Sequence, residues 1–194
     1  MPVFGCLGFG YFCAHKIVIY KKMQEKSSAW LQQTLLKLDL GKEADYQHKV
    51  SELLEEQPYL MGFVFNLAED FTEETHELII RAILALQESL AHAGLFFKVI
   101  TTQQLEEVLD DKIKAFETLE NEGPESFTEE NIIDKASSPI ALNSLYKFVD
   151  ENANEFELPF EHRTSLLLVL SAIIELFEIA ASPENPEKAM PTDA

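Results

Sequence analysis

Cysteine is nearly absent from this chain, with Cys6 and Cys13 the whole complement of its 194 residues. Their spacing is not the C-x-x-C of a redox or zinc site, and no further cysteine completes a ligand set. A disulfide framework is therefore excluded, and a reducing compartment, the cytoplasm, is expected. Positive charge is scarce as well. Fifteen Lys and Arg stand against 34 Asp and Glu, a net of -19, so nucleic acid is not expected as a partner, because most of this surface would repel a phosphate backbone. Seven glycines and eight prolines are too few for collagen-like or low-complexity classes. Also missing are G-x-S-x-G, G-x-x-x-x-G-K-[ST] and H-E-x-x-H, and no cysteine beyond Cys13 could act as a nucleophile. Long apolar runs are lacking too. The N-terminal run breaks at His15 and Lys16, and the C-terminal one at Glu175 and Glu178, both short of the ~20 residues a membrane span needs.

What is present is ordinary for a globular chain, 46% hydrophobic and 25% charged. The length suits one domain that buries roughly 70% of the surface of its unfolded chain, without disulfides or a structural metal. The charge is uneven. The first 49 residues hold seven Lys and four acids, whereas the rest hold 30 acids and 8 bases. Residues 1–22 form an atypical apolar segment containing both cysteines, Gly5, Gly8 and Gly10, and no acid. It has neither the order of charges nor the cleavage site of a secretory signal. Gly8-x-Gly10-x-x-Cys13 lacks the third glycine of a dinucleotide fingerprint. The segment reads as lying upstream of a start at Met23. Residues 23–182 then form a single all-α domain, and 183–194 a flexible tail.

Apolar periodicity predicts a compact bundle or array of about seven helices. Trp30, Leu31, Leu35 and Leu38 make one stripe, ending at Gly41. A second helix covers 43–57 and stops before Pro58, which begins a third carrying Leu60, Phe63, Val64 and Leu67. Asp70 or Thr72 caps a helix running to His92 and Gly94, central because Leu78 to Leu86 is apolar on most faces. Leu95 to Ile100 resembles a strand without a partner and reads as a connecting turn or helix extension. Thr101 with Gln104 forms a capping box for 102–121, and Gly123-Pro124 ends that helix. Ser126 with Glu129 opens a short helix, and Ser138 caps one begun by Pro139 with Ile140, Leu142, Leu145, Tyr146 and Val149 inward. The last helix runs from Phe160 to Ala181.

Four residues carry the candidate metal chemistry. Asp45-x-x-His48 and Glu73-x-x-His76 each place a carboxylate and an imidazole on one helix face, half of the pattern that di-iron helical proteins use twice, with Glu88 and Glu175 as inward-pointing supplements. Asp150, Asn152, Asn154 and Glu161 match the first, third, fifth and twelfth places of a calcium loop, but Glu155 stands where its glycine belongs. His162 and Arg163 could bind an anion, against which Glu161 argues. Arg81 interrupts an apolar helix and requires a carboxylate partner or a groove mouth. Tyr59, Phe63, Phe65, Phe71, Phe96 and Phe97 could leave an apolar strip on the surface for a partner or a second copy.

No cofactor is expected. The chain reads as an acidic soluble helical protein acting through protein contacts, an adaptor, regulator or immunity-like binder with a protein partner of basic character and a self-association surface. Its acids concentrate over residues 101–161, 16 against 4 bases, which directs the search for that partner to the Gly123 linker and Asn152 turn. The alternative is a metal-binding protein or enzyme using Asp45, His48, Glu73 and His76.

Overall fold

A computed structural model of the chain describes residues 31, 33–37, 43–123, 125–137, 139–152 and 160–182. The N-terminal segment 1–22, Gly41, Pro124, Ser138, Asn154 and the tail 183–194 lie outside the described residues, as does the side chain of Glu161.

Among the described residues the fold is all-α with one minimal sheet. Residues 31 and 33–37 are helical. After them come α1 (Glu43–Glu56), α2 (Pro58–Asn66) with a 3-10 turn at Leu67–Glu69, α3 (Glu73–His92), β1 (Phe96–Phe97), α4 (Thr102–Asn121), α5 (Glu129–Asp134), α6 (Pro139–Asn152), α7 (Phe160–Ala180) and β2 (Ala181–Ser182).

Local chemistry sets most boundaries. Pro58 occupies the start of α2, where its missing N–H costs nothing. The Thr72 hydroxyl accepts from the Thr75 amide at the start of α3, and Glu73 and Glu74 follow in the first turn beside the partly positive helix end. At α4 the box is complete: Gln104 N–H donates to Thr101 Oγ1 at 3.2 Å and Thr101 N–H donates to Gln104 Oε1 at 2.9 Å. Gly94 and Gly123 follow α3 and α4 with φ of 80° and 110°, the left-handed region that stops a helix and suits glycine. Gly62 is different. It lies inside α2, and a glycine in a helix interior costs roughly 0.5–1 kcal/mol relative to alanine.

Two expectations need correction. The short α5 is capped by Thr128, whose hydroxyl accepts from the Asn131 amide at 3.3 Å; Ser126 instead sits in the preceding turn, its N–H donating to the Gly123 carbonyl. Leu95 to Ile100 does contain a strand with a partner. Phe96 pairs with Ser182 and Phe97 with Ala181, antiparallel, and Lys98 N–H donates to the Ala180 carbonyl at 3.0 Å. The last helix therefore stops at Ala180, where the chain leaves helical geometry to bond this segment.

The core lies around α7 and α3. On α7, Leu166, Leu167, Leu170, Ile173, Leu176 and Phe177 are fully buried, packed against α4 and α6. On α3, Ile79, Ala82, Ile83 and Ala85 are fully buried and face α6 and α7. Each of the buried Leu, Ile and Phe side chains among them contributes about 1.5–3 kcal/mol by leaving water. Phe97 stands edge-on to Phe177 at 5.2 Å, so the sheet segment is fastened to the same core. No helix among the described residues is long and apolar enough to cross a membrane.

Candidate functional site: a groove with an acidic rim

The C-terminal half of α1 and the C-terminal half of α3 run on either side of a depression closed at one end by the segment after α3. Its volume is about 800 Å³. Amphipathic spacing explains the arrangement: α1 turns Leu53 inward and leaves Glu52, Glu55 and Glu56 outward, while α3 buries Leu84 and presents Gln87 and Glu88. The floor is apolar, formed by Leu53, Leu84 and Leu95, all buried. At the mouth, Phe96 is 42% exposed and Val99 51%. These are large apolar groups left in water beside a concavity.

Among the described residues, four carboxylates line this groove against one ammonium. Lys49 Nζ donates to Glu88 Oε2 at 2.9 Å, and Gln87 Nε2 donates to Glu56 Oε2 at 2.8 Å, so two polar links hold α1 and α3 at a fixed separation. The remaining excess is negative. A Debye length of ~8 Å at physiological salt lets the rim carboxylates act together on a cation entering the groove.

The third wall depends on Gln57. This residue joins α1 to α2 and is only 1% exposed, yet polar. Its Nε2 donates to the Lys98 carbonyl at 3.1 Å and its Oε1 accepts from the Ile100 amide at 2.8 Å. One side-chain amide thus stands in for a strand neighbour, satisfying the Ile100 amide, which burial would otherwise leave unpaired, together with the Lys98 carbonyl on an exposed residue. Since Gln57, Leu95, Phe96, Phe97 and Val99 all line the groove, this pair of bonds fixes its shape.

A second polar cluster is more enclosed. The Tyr146 hydroxyl donates to Glu129 Oε2 at 2.9 Å, Arg163 Nη1 donates to Glu129 Oε1 at 3.4 Å, and Arg163 Nε lies 3.9 Å from Asp150 Oδ1. It joins α5, α6 and α7. Burial, together with the bond to Glu129 and its charge, pushes the Tyr146 phenol above its usual value near 10. Arg163 is thereby balanced by carboxylates from two other helices.

The sequence candidates are distributed as follows. His48 is exposed and its Nε2 lies 3.4 Å from Glu52 on the same helix, while Asp45 is exposed one turn before it. His76 is half-buried; its Nε2 lies 2.8 Å from the Val64 carbonyl, which can only accept, so that nitrogen carries the proton and offers no lone pair to a metal. Glu73 is exposed at the start of α3. Glu88 meets Lys49, and Glu175 meets Lys112 at 2.6 Å. Among the described residues no three His, Cys, Asp or Glu side chains gather where they could hold one metal ion. Asp150 contacts Arg163, and Asn152 Nδ2 donates to the Phe148 carbonyl. Arg81 has the expected carboxylate, Glu77, with Nε donating at 3.0 Å, and its guanidinium also lies 4.2 Å from the centroid of the Tyr46 ring.

The groove itself was missed by the sequence reading, which directed attention to residues 101–161. Glu106, Glu107, Asp110 and Asp111 are indeed exposed on α4. The signal for the groove was the trio Glu52, Glu55 and Glu56 around Leu53, combined with an aromatic connector after Gly94. Protein-family models, curated proteins and solved structures were compared with this chain, and none matches it.

Proposed function

We propose that this protein is an adaptor or regulator whose groove receives a basic segment with one apolar face from a partner protein. The carrying observation is the combination in one concavity of an apolar floor, the half-exposed Phe96 and Val99, and four carboxylates against one ammonium. An amphipathic helix lays its apolar stripe into such a groove and its cations against such a rim. Strong acidity elsewhere steers a basic partner inward and discourages acidic ones. A cytoplasmic location accompanies this reading, since the chain has no cysteine beyond Cys13.

The test uses an amphipathic Leu/Lys peptide of about 18 residues, long enough for roughly five helical turns, beside its Leu/Glu counterpart, in calorimetry at low and high salt. The Lys peptide is expected to bind and to weaken as salt rises, while the Glu peptide stays unbound. Reversing Glu52 and Glu55 to Lys changes the lining from -3 to +1. At about 0.3–0.5 kcal/mol per unit of exposed charge this weakens the Lys peptide about 10- to 30-fold. Equal binding of both peptides, or no response to the reversal, would sink the proposal.

A further inference from the structure

Nothing among the described residues uses the missing side chain at Gly62. The residue lies in right-handed helical backbone, and among the described residues a Cβ built there meets no heavy atom within 4 Å. Alanine would favour the helix more. Gly94 and Gly123, by contrast, are required by their positive φ. A small residue on an outward helix face lets the backbone of another helix approach closely, as it does between membrane helices.

The surroundings of Gly62 fit that use. Tyr59 three residues before it and Phe65 and Asn66 after it share its exposed stripe, with Tyr59 53% and Phe65 43% exposed. No residue of α2 is charged, whereas each of the other six α-helices bounded above carries charge. None of Tyr59, Gly62 or Phe65 lines the groove.

We infer that this face of α2 is a self-association surface, on which α2 of a second copy crosses at Gly62. Two arguments select a second copy. A two-fold axis at the crossing point places one glycine from each chain at the closest approach and brings Tyr59 of each against Phe65 of the other, so a single stripe complements itself. Copies of a chain at -19 repel one another over most of their surface. They meet at least cost on an uncharged face, where a basic partner would gain nothing.

Sedimentation velocity of the full chain, from low micromolar to about 200 μM, tests this. A reversible dimer is expected, and raising salt should strengthen it because like-charge repulsion is screened. That response is opposite in sign to peptide binding in the groove, so the two readings fail separately. Gly62→Leu should keep the helical circular dichroism and raise the dimer dissociation constant at least about tenfold. Tyr59→Glu should do the same without depending on how a leucine packs. A monomer at every concentration overturns the inference and leaves the face to a different partner. A dimer that both substitutions leave unchanged overturns it equally.

Discussion

Replacing Gln57 by methionine keeps an unbranched side chain of similar length and removes both amide bonds. The Ile100 N–H, on a residue 1% exposed, then loses its acceptor at 2.8 Å. An orphaned buried donor costs about 1–3 kcal/mol. The Lys98 carbonyl, on an exposed residue, can turn to water, and its lost 3.1 Å bond costs about 0.5–1 kcal/mol. Transferring a thioether rather than an amide into the interior offsets part of this. The net expectation is a loss of about 2 kcal/mol, a large share of the 5–15 kcal/mol typical of a domain. At this chain length that lowers Tm by about 4–8 °C. Urea titration should give a lower midpoint at an unchanged slope, and hydrogen exchange should show the Ile100 amide opening about 30-fold more readily. A change below about 0.5 kcal/mol, with Ile100 exchange unaltered, would refute the role assigned to Gln57.

Other outcomes follow from the same contacts. The Tyr146 phenol is raised by burial and by Glu129, so the unfolded chain releases this proton near pH 10 while the folded protein retains it; the associated stability is full below that pH and is lost as pH rises through the folded value. Wild type should therefore lose stability more steeply above pH 10 than Tyr146→Phe, as followed by urea titrations across that range. Lys49→Met removes the Lys49 ammonium from the groove and leaves Glu88 without its 2.9 Å partner there; the basic peptide should bind about twofold more tightly, measured by calorimetry. Ile83→Ala at the centre of α3, where the side chain is fully buried, should cost about 2–5 kcal/mol in the urea titration.

The elements that could be read from the chain are those whose instructions are local. Pro58 starts α2 and the Thr101–Gln104 box starts α4 through residues three or fewer positions away. Burial on α3 and α7 followed from apolar runs, and Arg81 advertised its need for a carboxylate by interrupting one. The failures are long-range. Leu95 to Ile100 has its strand partner at Ala181–Ser182, far along the chain, with only two residue pairs to announce it. Gln57 reads only as the last residue of a helix that stops before Pro58, and its burial depends on backbone groups 41 and 43 residues away. Groove formation likewise needs α1 beside α3, a packing that Lys49 and Glu88 seal across 39 residues. Charge counting along the sequence located density of acid, over residues 101–161, rather than acid beside exposed apolar surface.

Mapping of backbone amide shifts during titration with the Leu/Lys peptide tests the central claim most directly. The account predicts that the largest changes fall on Glu52, Glu55, Ala91, Phe96 and Val99, around the groove, and that Glu106, Asp110 and Asp111 on α4 stay still. Changes concentrated on α4, with the groove amides unmoved, would contradict it.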